Sequence, residues 1–188
     1  MNKRTVLTLS EKQQGLVLVY TGNGKGKTTA ALGIAIRATG RNQRVLMIQF
    51  IKSPDRSTGE KMMFEKVGIE MHQVGIGFTW TKTPEEHREA LRKAWEFTKE
   101  KVQSGAYDVV ILDELNNALA INSFPIEDVL PIAEVTGLIK NRPPSMHLVI
   151  TGRSAKQEIL DAADLVTEMK EIKHYYQDGV PAVKGIEY

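Results

Sequence analysis

The stretch Val19-Tyr20-Thr21-Gly22-Asn23-Gly24-Lys25-Gly26-Lys27-Thr28-Thr29 decides how the rest of the chain is read. It follows Leu16-Val17-Leu18-Val19, an apolar run that reads as a buried strand. It precedes Ala30 to Ala38, which reads as a helix. Strand, glycine-rich turn, Gly-Lys-Thr and helix together form the context of a phosphate-binding loop. Gly22, Gly24 and Gly26 let the backbone curl without Cβ clashes, so successive N–H groups can point into one concavity. A helix starting near Lys27 adds its unpaired N–H groups and the positive end of its dipole. Lys27 offers an ammonium to phosphate oxygens and Thr28 a hydroxyl to Mg²⁺. The general pattern wants glycine five residues before Gly26. Thr21 stands there, so Gly22 is expected to take the tight turn. The competing reading is a glycine-rich turn with an accidental Gly-Lys-Thr.

The second informative stretch is Tyr107-Asp108-Val109-Val110-Ile111-Leu112-Asp113-Glu114. An apolar strand delivers two acids at its C-terminal end, outside which ligands sit in parallel α/β sheets. One acid can hold Mg²⁺ while the other positions or deprotonates a group. An acidic helix start beyond a strand is the plainer alternative. A third stretch, Gly75-Ile76-Gly77-Phe78-Thr79-Trp80-Thr81, puts two large aromatics in a glycine-bearing loop. They either tuck into the core or face a flat apolar ligand.

Between these landmarks strands and helices alternate. Residues 45–51, 69–74, 146–151 and 165–168 read as strands, and 60–66 as a short helix. Gly40 is expected as the C′ residue of the first helix. Thr83-Pro84-Glu85-Glu86 opens a helix with a capping box, and Leu91, Ala94, Trp95, Thr98 and Val102 form its core face. His87 reads as a surface residue. Pro125 is expected to start a helix carrying Ile126, Val129, Leu130 and Ala133. Ser154 with Gln157 reads as a capping box for a helix to about Ala163. Arg153 is either a phosphate contact or a surface arginine. The turn-rich tail after Lys173 is expected to cover the site or a partner surface. The alternation implies a three-layer α/β sandwich with a mostly parallel sheet, of the P-loop nucleotide-hydrolase type. Residues 1–14 are expected to form an arm and residues 15–188 a single domain.

Composition narrows the function classes. Cysteine is absent, which excludes disulfides, thiolate metal sites and a cysteine nucleophile. A net charge of +2, with basic residues scattered among acids, gives no nucleic-acid footprint. No apolar run approaches a membrane span, and no leader pattern follows Lys3-Arg4, so a cytoplasmic protein is expected.

Together these residues resemble the P-loop class of ATP:corrinoid adenosyltransferases. The resemblance runs from Gly15 to Tyr188. It rests on residues 21–29, Gln49-Phe50-Ile51-Lys52, Gly77-Phe78-Thr79-Trp80, Leu112-Asp113-Glu114-Leu115, Thr151-Gly152-Arg153, Lys173-His174 and Gly185-Ile186-Glu187-Tyr188. It implies transfer of the 5′-deoxyadenosyl group of ATP to the Co(I) of a reduced corrinoid such as cobalamin, cobinamide or cobyrinic acid a,c-diamide, with triphosphate as the leaving group. ATP would lie reversed in the loop, compared with ordinary P-loop enzymes. Gly22, Asn23, Gly24, Lys25, Gly26, Lys27, Thr28 and Thr29 would bind it, with Lys27 countering the triphosphate charge. Thr28 and Glu114 would hold Mg²⁺ or Mn²⁺, with Asp113 close by. Phe78 and Trp80 would meet the corrin and displace its lower axial ligand. The resemblance also implies a reduced flavoprotein as electron donor and a homodimer. Without it, a conventional ATPase or kinase, or a signalling nucleotide-binding module, fits the loop and the acid pair.

Overall fold

The computed structural model describes residues 14–54, 57–75, 77 and 82–188. Phe78, Trp80 and all but the last residue of the expected arm lie outside these. Six strands form one sheet in the order β3-β2-β4-β5-β1-β6: β1 Val17–Thr21, β2 Val45–Gln49, β3 Glu70–Gln73, β4 Val109–Asp113, β5 His147–Thr151 and β6 Leu165–Glu168. Every pairing is parallel. The helices are α1 Lys27–Thr39, α2 Gly59–Val67, α3 Pro84–Gln103, α4 Leu115–Leu119, α5 Ile132–Asn141 and α6 Gln157–Asp161.

Strand periodicity sorts the core into two layers. Val45, Met47, Val109, Ile111 and Val149 face Ala31, Ala35 and Ala38 of α1 and Phe64 of α2. Leu46, Ile48, Val110, Leu112, Leu148 and Ile150 face the other way, against α3, α4 and α5. Strands buried on both faces must be apolar throughout, which is why these runs do not alternate. Alanines on α1 let that helix lie close to the sheet and hold the glycine loop at its N-terminus. Trp95 is the largest fully buried side chain, and its Nε1 donates to Glu134 Oε2 at 2.9 Å. Truncation of such a residue costs about 3–5 kcal/mol. The α3 start forms as expected: Thr83 Oγ1 accepts from Glu86 N, and Glu86 Oε2 accepts from Thr83 N.

Four local expectations are corrected. Gly40 stays right-handed at the C-cap of α1, and Asn42 takes the left-handed turn at φ 61. His87 is buried, not exposed, and stacks on Phe124 with ring centroids 5.7 Å apart. It lies four residues before Leu91 on the core stripe of α3, so its position on the helix buries it. Residues 127–129 form a turn and Leu130 a bend, and the helix begins only at Ile132. Pro131 disfavours helical backbone at Leu130, which blocks a helix running on from Pro125. Ser154 is left-handed at φ 53 and caps nothing. Gln157 Nε2 instead donates to Asp161 Oδ1, and α6 ends at Asp161.

Candidate active site

The loop between β1 and α1 turns at Gly22, φ 92, and Gly26, φ 110. These left-handed values are why glycine stands at both positions. Thr21 is tolerated at the pattern's first position because it is still in the strand. Its carbonyl accepts from Met169 N at 2.8 Å, and its hydroxyl accepts from Ala155 N at 3.2 Å. Gly24 is glycine for a further reason. The chain leaving β6 runs across it, so that Gly24 N donates to Met169 O at 2.7 Å and a Cβ would sit 2.7 Å from the Lys170 carbonyl carbon. Lys27 opens α1 and folds back over the loop, donating to Gly22 O at 2.7 Å and Gly24 O at 2.6 Å. Partial burial, then the charge of Arg153, holds its ammonium below the ordinary lysine range.

Beside the loop, Asp113 ends β4 fully buried. Its Oδ1 accepts from Thr28 Oγ1 at 2.9 Å and Thr151 Oγ1 at 2.7 Å, and its Oδ2 accepts from Gln49 Nε2 at 2.9 Å. Glu114 follows at φ 61, a strained value for a side chain of this size. The Glu114 carboxyl has no hydrogen-bond partner among the described residues. Burial, then the Asp113 charge, raises its pKa against the pull of Lys52, Lys27 and Arg153. Lys52 is itself held at 2.6 Å from Glu60. Burial acts to raise the Glu60 carboxyl, but Lys52 and nearby donors bring it below its ordinary value. The tail closes the opposite rim, where Glu187 pairs with Lys25 and accepts from the Tyr175 hydroxyl.

A concave backbone, a mobile ammonium and oxygen donors in one corner suit a polyphosphate and a hard cation. The family model for ATP:corrinoid adenosyltransferase BtuR/CobO/CobP matches residues 13–188. The chain belongs to this family. It is 39% identical to the corrinoid adenosyltransferase of Escherichia coli K12 over 180 residues, 95% of this chain and 88% of the relative. It has the same identity and coverage with corrinoid adenosyltransferase CobA of Salmonella typhimurium LT2. A corrinoid adenosyltransferase of a Sinorhizobium species is 37% identical over 99% of this chain and 86% of its own length. The protein is accordingly an enzyme of the transferase class.

In this adenosyltransferase Lys27, Thr28, Asp113 and Glu114 converge, with Gly22, Gly24 and Gly26 forming the turn. Asn23, Lys25 and Thr29 are exposed around the loop. Arg153 is near enough to act on both Lys27 and Glu114. Three residues with no assigned role from the sequence also belong to this corner: Gln49, Gln73 and Thr151, all buried. Part of the signal was present: Gln49 and Thr151 are each the polar last residue of a largely apolar, buried strand, whereas Gln73 ends the partly exposed β3.

Proposed function

We propose that the protein transfers the 5′-deoxyadenosyl group of ATP to the Co(I) of a reduced corrinoid. The cobalt lone pair attacks the ribose C5′ and forms the Co–C bond. The C5′–O bond breaks, and its electron pair leaves on triphosphate. Cobalt passes formally from Co(I) to Co(III). The observation that carries this reading is the glycine loop with Lys27 folded into it, in a chain that matches the family over residues 13–188.

The side chains divide the work. The N–H groups of residues 22–28 and the Lys27 ammonium take up charge that grows on the leaving triphosphate. Phosphate oxygens would replace the Gly22 and Gly24 carbonyls as acceptors for Lys27. No general base is needed, because the nucleophile carries no proton. Phe78 and Trp80 keep water from the cobalt and displace its axial donor, so that a weak reductant can deliver the electron. ATP lies reversed in the loop, with its ribose towards the corrinoid.

Mg²⁺ or Mn²⁺ fits the donor set. Thr28, Asp113 and Glu114 offer only hard oxygens, and the Glu114 carboxyl makes no hydrogen bond among the described residues. Among the described residues no cluster of three His, Cys, Asp or Glu side chains could hold a metal unaided. That suits a cation which completes its shell with phosphate and water. When bound, it neutralises the triphosphate and favours its departure. Electrons come from a reduced flavoprotein, and the enzyme works in the cytoplasm as a homodimer. No helix among the described residues is long and apolar enough to cross a membrane.

An anaerobic assay with ATP and a chemically reduced corrinoid tests the proposal. Triphosphate should appear in step with a cobalt–carbon bond. ADP and orthophosphate would make the protein a conventional ATPase or kinase. Trp80→Ala should spare ATP binding and suppress the four-coordinate Co(II) spectrum; an unchanged spectrum would remove that role.

A further inference from the structure

At the C-terminal end of the sheet, neighbouring strands each finish on a buried polar residue. Gln73 of β3 is in register with Gln49 of β2, and Gln49 with Asp113 of β4. The side chains bond sideways along this row. Gln73 Nε2 donates to Gln49 Oε1 at 3.3 Å, Gln49 Nε2 to Asp113 Oδ2 at 2.9 Å, and Thr151 Oγ1 to Asp113 Oδ1 at 2.7 Å. Gln49 and Asp113 are fully buried and Gln73 nearly so. Burying two amides and a carboxylate here is costly unless each is satisfied. An apolar pair would hold β2 and β3 together equally well.

The row has a direction. An ionised carboxylate only accepts, so Asp113 forces Gln49 to turn its NH₂ towards it. That leaves Gln49 Oε1 facing β3, and Gln73 must point its own NH₂ back. The Gln73 carbonyl oxygen is consequently left buried with no partner among the described residues. The orientation of a side chain two strands away is thereby tied to the carboxylate that holds Thr28 at 2.9 Å, on the first turn of α1.

We propose that Gln49 and Gln73 are positioning residues for ATP. Neither touches the nucleotide. Gln49 fixes the rotation of the Asp113 carboxylate so that Oδ1 faces Thr28, and Gln73 fixes Gln49. This rests on the function proposed above.

The test is a double-mutant cycle of Gln49→Met and Gln73→Met, read by calorimetric titration with ATP, by steady-state KM for each substrate and by melting temperature. Gln49→Met removes one hydrogen bond to a charged acceptor and should weaken ATP binding roughly tenfold. Gln73→Met should weaken it about threefold, and the KM for the corrinoid should stay unchanged in both. In the Gln49→Met background, Gln73→Met should have no further effect, because its route to the loop through Gln49 is already cut. If Gln49→Met does not fold, Gln73→Met on the edge strand carries the test alone. A lower melting temperature with an unmoved ATP isotherm for Gln73→Met, or additive losses across the cycle, would overturn the inference. Wild-type protein that takes up no ATP would bring down the proposed function, and this inference with it.

Discussion

The two ends of the sheet are built from the same residue types and solve opposite problems. At the N-terminal ends of the strands, charges are paired and carbonyls are met. Asp108 accepts from the Arg44 backbone and guanidinium. Arg142 donates to the carbonyls of Gly15, Ile139 and Met146. Glu70 accepts from His72, Lys101 and Tyr107. Left-handed turns there fall to Gly68, Gly105 and Asn42, which tolerate them. At the C-terminal ends Glu114 and Ser154 are left-handed without being glycine, the Glu114 carboxyl has no hydrogen-bond partner among the described residues, and Lys27 folds onto bare carbonyls. One end spends its polar groups on stability. The other keeps the Glu114 carboxyl and the Lys27 ammonium available to a ligand, which is where strain is expected in a working site.

The sharpest way to break that contrast is Lys27→Ala. Among the described residues its ammonium bonds only to loop carbonyls, so its loss should leave the melting temperature nearly unchanged. Turnover should fall by about a thousandfold or more, since it counters charge on the leaving group. Adenosylation at the wild-type rate would show that the loop is not the site.

A smaller effect, of opposite sign, is expected for Glu114→Gly. The substitution relieves a left-handed side chain and removes a carboxyl whose pKa burial and Asp113 push up. A raised folded value means that the group's contribution is most favourable below the ordinary 4.5 and is lost as pH rises through the folded value. At neutral pH the variant should therefore be more stable by about 1 kcal/mol, a gain of roughly 2–4 °C in melting temperature, while activity is lost. Thermal scans of both proteins at pH 7 check this. A destabilised variant would mean that Glu114 already has its partner in the folded protein.

The same contrast explains what could be read from the sequence. The strands and α1, α2 and α3 were legible because burial on one or two faces leaves a periodic pattern along the chain. The glycine loop was legible because left-handed backbone calls for a particular residue. Strand order was not, since any arrangement of parallel strands satisfies the same apolar runs. The row from Gln73 to Thr151 was not, because its bonds join residues 24, 64 and 38 positions apart. His87 was misjudged by chemistry when its position on α3 was the better guide. Ser154 was misjudged because a capping box needs backbone that the turn after Gly152 does not supply.

The smallest effect belongs to the stabilising end, at Glu70. Burial alone would raise its carboxyl, but the donors Lys101 at 2.8 Å, Tyr107 at 2.6 Å and His72 at 2.7 Å outweigh that and lower it to about 2. A depressed folded value gives a contribution fully present above the ordinary 4.5 and lost as pH falls towards 2, the reverse of Glu114. The side chain is 39% exposed, so solvent screens most of the pairing, and Glu70→Gln should cost only about half a kcal/mol at neutral pH. The informative measurement is the slope. Between pH 4.5 and 2 the wild type should lose melting temperature faster than Glu70→Gln, because only the wild type has this carboxylate to protonate. Added salt should narrow the gap by screening Lys101. If the two proteins lost melting temperature in parallel down to pH 2, the Glu70 cluster would be decoration on the edge strand, and the contrast between the two ends would rest on the ligand-facing side alone.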